Sequence, residues 1–505
     1  METIVQSLLS FADLFLSLLG LAIAAAIAVL IVVVVWMYIS DISQTRQAIR
    51  RNYPVLGRFR YIFEHLGEFF RQYFFALDRE ELPFNRAQRS WVYRAAKNED
   101  STIAFGSTQP QNIPGEFIFL NGLFPPLKEE VEHNRLIHFG DGFARKPYST
   151  SSFFNISGMS FGALSGPAVE SLSKGAAKAG VWLNTGEGSV SPFHTTGGCD
   201  LVFQMGTAKY GLRDSEGNLD ESKLKALESH EQVQMIEIKL SQGAKPGKGG
   251  ILPGIKVDEV IASTRGIPRG EDSISPNRHP EIKTLTDLLN FIQYVRECSG
   301  KPTGIKCVIG QTDWLDSFCQ LINELGHEFA PDFITVDSGD GGTGAAPLSL
   351  MDHTGLPVKR SLPIVVDKLI EYELRERIRV VASGKLINPA DVAAALCLGA
   401  DCVNSARGFM FALGCIQSLQ CNKNSCPTGI ATQNRSLQKG LDPTDKSERV
   451  ANYALNLIKE VETIAHSCGV THPNLLRRQH AQMINERGIP QPLDQMYPPK
   501  SSGAN

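Results

Sequence analysis

From Asn155 onward the sequence repeats one pattern: a short apolar run ends in a glycine-rich or polar turn, and a longer helix-like stretch follows. The runs are NISGMSFG, VWLNTGEGS, LVFQMGT, MIEIKLSQGAKPG, GIKCVIG, FITVDSGDGGTG, RVVASGK and DCVNSARG. Strands alternating with helices build βαβ units on a parallel sheet, and eight such units close into a barrel. Each turn lies at the C-terminal end of its strand, the face on which such barrels carry their active sites. The alternative is an open doubly wound sheet. No GxGxxG follows the first run, and the glycine turns are spread over nearly all eight units, so the closed barrel is preferred. The expected fold is therefore α/β, a (β/α)8 TIM barrel over residues 151–435.

What precedes the barrel is of a different kind. Leu14 to Ser40 reads LFLSLLGLAIAAAIAVLIVVVVWMYIS without a charged side chain. A bilayer core of ~30 Å needs about 20 apolar residues in a helix, and this run exceeds that. Trp36 and Tyr38 stand at its end, and Arg46, Arg50 and Arg51 follow. Interfacial aromatics with basic residues beyond them predict a single-pass anchor over residues 1–45 with the rest of the chain on the cytoplasmic side. A cleaved signal peptide would have a shorter apolar core and a basic segment in front of it. A mean hydropathy of −0.10 over the whole chain means the remainder is water-soluble in character. Residues 46–150 begin with alternating aromatic and basic positions, read as a small helical cap whose amphipathic helices suit core packing or a bilayer surface, with packing preferred. A Pro- and Gly-rich connecting segment with short strands follows, and residues 436–505 are expected to form a helical tail with frayed last residues.

A formal net charge of −3 offers no field for nucleic acid, so no such partner is expected. Ten cysteines in 505 residues are too sparse for a disulfide scaffold. Three of them are close together in Cys415-IQSLQ-Cys421-NKNS-Cys426-Pro427. Soft thiolates at this spacing, ending in Cys-Pro, suit an iron–sulfur site. Zinc would ask for a fourth ligand, and no CxxC or His pair lies nearby. Barrels that bind phosphate use the loops after strands seven and eight. Here those loops carry Ser383, Gly384 and Lys385, then Ser405, Arg407 and Gly408, and glycine admits backbone N–H groups close to phosphate oxygens. Asp340, Gly341 and Gly342 after the sixth strand allow the backbone to press against a flat ligand. Lys306, the ionisable residue of GIKCVIG, must face the barrel mouth or suffer desolvation. It suits the pyrimidine edge of a flavin, where a cation stabilises the anionic reduced ring; the alternative is a structural salt bridge to Glu187 or Asp337.

The segments MSFGALS, NTGEGS, QGAKPGKGGILPG, ISPNRHPEI, VDSGDGGTGAAP and GCIQSLQCNKNSCPTGIATQ, in this order from Asn155 to Gln433, resemble the flavin mononucleotide (FMN) domain of glutamate synthase large subunits. The resemblance implies FMN in the barrel, a [3Fe–4S] cluster on Cys415, Cys421 and Cys426, and 2-oxoglutarate as substrate. It implies that the cluster passes electrons to FMN, that 2-oxoglutarate and ammonia give 2-iminoglutarate, and that hydride from flavin N5 reduces it to L-glutamate. Carried over by motif, Met159, Ser160 and Gly162 contact the flavin. Glu187, Gln242 and Lys306 surround ring and substrate, and Gly384, Arg407 and Gly408 hold phosphate. Glu187 is the candidate for proton transfer in imine formation, and Lys245 for the keto acid's carboxylate.

Two departures shape the expected function. The chain opens Met1-Glu2 and runs straight into the apolar helix, where the family has a glutaminase domain with an N-terminal cysteine. Ammonia, or a small amine, is thus expected from elsewhere. With no second dinucleotide fingerprint, electrons are expected from ferredoxin or a flavoprotein subunit. The competing readings are an FMN enzyme for another amine or a 2-hydroxy acid, with Arg278 and His279 as carboxylate partner and base, and a non-catalytic membrane redox scaffold.

Overall fold

The computed structural model describes residues 2–498, which divide into two compact units on either side of the Ala87–Gln88 bond. In the first unit, helix α1 (Glu2–Ser43) is long and apolar enough to cross a membrane. A short helix, Ala48–Asn52, leads to helix α2 (Leu56–Phe70), which runs into a wider turn at Arg71–Phe75.

The second unit is built on a closed barrel of eight parallel strands. They are β1 (Phe154–Ile156), β2 (Leu183–Asn184), β3 (Leu201–Met205), β4 (Val233–Lys239), β5 (Thr303–Val308), β6 (Phe333–Asp337), β7 (Arg379–Ser383) and β8 (Cys402–Ser405). Each strand comes from one of the eight apolar runs, as the expected TIM-type barrel requires. Closure is direct, with Val403 of β8 in register with Phe154 of β1. Nearly all strand residues are buried, because helices cover the outside and side chains fill the inside. The inside is partly polar. Glu237 accepts hydrogen bonds from Asn184 Nδ2 (2.9 Å), Gln204 Nε2 (2.7 Å) and Thr335 Oγ1 (2.6 Å), which offset the cost of a carboxylate in the core.

The base of the barrel is closed by a hairpin, Ile137–Phe139 with Tyr148–Thr150, whose Phe139 ring packs edge-on to Trp182 (5.9 Å) and Phe333 (5.8 Å). Helix α3 (Gly166–Ala179), after β1, packs against helix α4 (Pro443–Ser467). Gly175 makes that approach possible, since a Cβ there would lie 2.4 Å from Val450 Cγ1. The tail is not helical throughout, and Gln491 lies in a short strand; residues 499–505 of the expected frayed end lie outside the described residues. Helix α4 gives way to Gly469 at φ +86°, and Ala481–Ile484 then pairs antiparallel with Phe117–Phe119 and with Pro490–Pro492. A strand whose partner lies hundreds of residues upstream leaves no local signal beyond its own few residues.

Candidate active site

The turns at the C-terminal ends of the strands surround an open cavity of about 1380 Å³, counting all space between the lining atoms out to solvent. The C-terminal mouth of such a barrel is where ligands of this fold bind. Met159, Ser160, Glu187, Gln242, Lys245, Lys306, Gly342, Gly384, Arg407 and Cys421 all line it. Gly162, Asp340, Gly341, Gly408, Cys415 and Cys426 do not. Gly341 sits one layer back, its Cβ position 3.6 Å from Gly384 Cα, and Gly408 lies under the Tyr453 hydroxyl, where it serves packing. Gly162, at φ +100°, gives room for Leu252 and Arg265. Asp340 pairs with Lys385 at 3.0 Å.

Lys306 extends from β5 and its Nζ lies 3.5 Å from Asp337 Oδ2. Burial alone would lower its pKa, but Asp337 and Glu237 outweigh that and raise it, so the ammonium persists at neutral pH. Asp337 is itself held by the Gly243 N–H (2.9 Å). Glu187 stands in the turn after β2, packed between Gly206 and Gly250, where Cβ atoms would come within 2.7 Å of its Cβ and 2.4 Å of its Oε1, respectively. Lys239 Nζ lies 2.9 Å from its carboxylate and donates to Gln242 Oε1 at 2.7 Å. Burial would raise the Glu187 pKa, yet Lys239 and Lys245 dominate and bring it down to about 2. Lys245 is lowered by burial, against a smaller upward pull from Glu187.

Two cationic residues that sequence reasoning missed complete this wall. Lys239 ends β4, and Arg265 closes a short helix, Glu259–Arg265, inside the long β4 loop. Arg265 is buried and donates to Phe161 O (3.1 Å), while its Nε has no hydrogen-bond partner. The helical stretch EVIASTR held the signal, but only folding turns it to the cavity. Ser160 and Ser405, also on the lining, keep buried hydroxyls without partners. A Cβ at Gly384 (φ +104°) would lie 2.5 Å from Ser338 Cβ, so the turn after β7 packs closely on the turn after β6. Ser160 Oγ lies against Gly188 in the turn after β2, and glycine turns after β6, β7 and β8 fit a phosphate-bearing flat cofactor.

The cysteine loop after β8 forms another wall, with Cys421 and Asn422 on the lining. Lys256 fastens it by donating to Cys421 O (2.8 Å), Ala431 O (2.9 Å) and Ala163 O (3.3 Å). Among the described residues no three His, Cys, Asp or Glu side chains converge as ligands of one ion. A cluster asks something different, one thiolate per iron, so its sulfurs stand farther apart than the ligands of a single ion. The chemistry of Cys426 fits such a ligand. Burial raises its pKa, but hydrogen bonds from Thr428 and from the backbone of Ala431 and Ile430 bring it below the ordinary thiol value. Burial pushes Cys415 up to about 11, and Cys307 and Cys319 up to about 12.

Arg278 and His279 do not line the cavity. Arg278 donates to the carbonyls of His279, Pro280 and Ile282, and the His279 Nε2 lies 3.0 Å from Lys239 O. Burial brings His279 down to about 4, which leaves it a poor base.

Residues 130–471 match the family model described as the conserved region in glutamate synthase. Over 97% of both chains, the protein is 36% identical to the glutamate synthase large subunit-like protein YerD of Bacillus subtilis (strain 168). It is 34% identical to the archaeal glutamate synthase [NADPH] of Methanocaldococcus jannaschii, over 66% of this chain and 63% of that one. For the archaeal-type glutamate synthase [NADPH] of Thermotoga neapolitana the identity is 33%, over 63% and 60%. The chain thus spans under two thirds of the length of these last two relatives. The family model covers most of the barrel and the full-length match to YerD extends through both units, so the chain belongs to the glutamate synthase family.

Proposed function

We propose that the protein is a membrane-anchored, FMN-dependent oxidoreductase that reductively aminates 2-oxoglutarate to L-glutamate through 2-iminoglutarate, with ammonia from elsewhere and electrons from a donor protein. The observation that carries this reading is one cavity bounded by glycine turns on one side, by Lys239, Lys245 and Arg265 around Glu187 on another, and by the cysteine loop on a third. Bound FMN would supply hydride to the imine carbon, and a [3Fe–4S] cluster on Cys415, Cys421 and Cys426 would supply the electrons.

In this reading Gly384, Lys385 and Arg407 hold the phosphate, and Ser160 satisfies its hydroxyl on the flavin. Lys306, kept protonated by Asp337, carries the positive charge that an anionic reduced ring needs. Arg265 and Lys245 take the two carboxylates of the keto acid, a dianion that would also restore the Lys245 pKa. Glu187, with a pKa of about 2, is too weak a base to take the proton of ammonium. It serves instead as the counter-ion that orders Lys239 and Lys245, while neutral ammonia attacks the carbonyl carbon and the carbonyl oxygen leaves as water. The helix α1 anchors the enzyme with its second unit on the cytoplasmic side, near a ferredoxin or flavoprotein donor.

The test is to purify the protein in detergent without oxygen, reduce it, and follow flavin absorbance as 2-oxoglutarate and ammonium are added. Reoxidation that requires both reagents is expected. A flavin that stays reduced would redirect the reading to another amine or to a scaffold role, and rapid NADPH oxidation by the chain alone would overturn the separate donor. Iron analysis of Cys421→Ser should show loss of iron with flavin retained.

A further inference from the structure

We propose that helix α2 is an interfacial helix, lying with one face in the headgroup region of the bilayer that α1 crosses. The proposal rests on the reading of α1 as a membrane anchor. Phe59, Ile62, Phe63, Leu66 and Phe70 recur at the spacing of a single helical face. All five are exposed, from 39% at Leu66 to 66% at Phe63. The chain continues this surface beyond the helix with Tyr73, Phe74, Phe75 and Leu77, all exposed as well. So many large apolar side chains left in water on one strip mark an interaction surface. The other face of α2 carries Arg60 and Glu64, with Arg71 just past the helix end, all exposed. That division, aromatic on one side and charged on the other, is the pattern of helices that lie in the plane of a membrane surface.

A lipid surface is the occupant because of where α2 is fastened. Asp41, two residues from the end of α1, is fully buried. It pairs with Arg50 Nη2 at 2.6 Å and Arg58 Nε at 2.8 Å, and accepts the Val55 N–H at 3.0 Å. These bonds tie the first turn of α2 to the last turn of α1. The Arg58 guanidinium also stands over the Trp36 ring, 5.9 Å from its centroid. Trp36 marks the level at which an α1 span leaves the hydrocarbon, since tryptophan rings favour that depth. The N-terminus of α2 is therefore held at the height of the interface, by side chains of the spanning helix itself. The sequence gives the amphipathic pattern; the Asp41 elbow gives the depth. Arg60 and Arg71 on the polar side suit anionic headgroups.

The test uses the full-length chain reconstituted into vesicles of phosphatidylcholine with phosphatidylglycerol. A photoreactive p-benzoylphenylalanine replaces Phe63 in one preparation and Glu64 in another, and retained flavin absorbance reports that each has folded. Lipid adducts at position 63 and their loss at position 64 are expected. Protein adducts at 63, or no lipid adduct at 63 in chains that resist an alkaline wash, would overturn the interfacial helix and leave the anchor standing. Equal lipid labelling at both positions would overturn the one-sided burial. Chains removed by the alkaline wash would sink the anchor, and this inference with it. As an independent check, Phe59→Glu with Phe63→Glu should make α2 accessible to protease in vesicles while α1 stays embedded; unchanged protection would count against the proposal.

Discussion

Glu187 carries opposing effects whose balance sets its chemistry. Burial favours the neutral acid, whereas Lys239 at 2.9 Å and Lys245 favour the anion and prevail. A folded pKa of about 2 against an ordinary carboxyl value of 4.5 means that ionisation stabilises the fold. That contribution is complete above the unfolded value and is lost as pH falls toward the folded one. Thermal denaturation should therefore show Glu187→Gln well below the parent near about pH 7, with the gap narrowing as pH falls from about 5 to about 2. A gap that stays constant would mean that packing against Gly206 and Gly250, not charge, accounts for the loss. Lys306 makes the complementary case, a cation kept charged despite burial. Lys306→Met should retain flavin, move its reduction potential to more negative values, and slow turnover on the order of 10²-fold, as for loss of one preorganised charge partner. A redox titration beside steady-state rates checks both parts.

The elements that matter most are the turns. Gly384 adopts φ +104° and presses on Ser338, so a side chain meets both a strained backbone and a neighbour. Gly384→Ala should therefore lose most of its flavin on purification while the barrel remains folded by circular dichroism. Full flavin content would show that the phosphate is held elsewhere. The long β4 loop illustrates how one element serves several walls at once. Gln242, Lys245, Lys256 and Arg265 all come from it, and the antiparallel pair Ile251–Leu252 with Ser273–Ile274 keeps it folded over the mouth. Loops of this length in a compact domain are usually functional, and its Lys256 links the cysteine loop to the turn after β1.

At the scale of the molecule, the C-terminal helix α4 completes the barrel's outer layer. Its Val450 packs on Gly175, and its Tyr453 hydroxyl donates to Ile387 O at 2.8 Å beneath the phosphate turns. Gly175→Val should force the two helices apart, cost about 1–3 kcal/mol as overpacking does, and lower the melting temperature by several degrees. A melting curve of the holoprotein tests this, and an unchanged transition would show that α4 is not part of the cooperative unit.

The barrel was legible because local pattern and global architecture agree: an apolar run of strand length, a glycine turn and a helix, eight times over. The long apolar helix α1 was legible for the same reason, since it is a pattern of neighbours in the chain. Residues such as Met159, Glu187 and Gln242 could be placed at the mouth because a turn after a barrel strand has only one place to be. Lys239, at the end of β4, could have been placed by the same rule, but Arg265 could not. Nothing near it in sequence says which way a side chain on a folded-back loop will point, and Arg265 reaches Phe161 across more than a hundred residues. The same holds for the strand Ala481–Ile484, whose hydrogen-bond partner is Phe117–Phe119, and for Gly408, which reads as a phosphate glycine until Tyr453 is seen against it. Periodicity and spacing are properties of contiguous residues and survive in the unfolded chain. The pKa of Glu187, the packing of Gly175 and the Asp41 elbow depend on groups that only folding brings together.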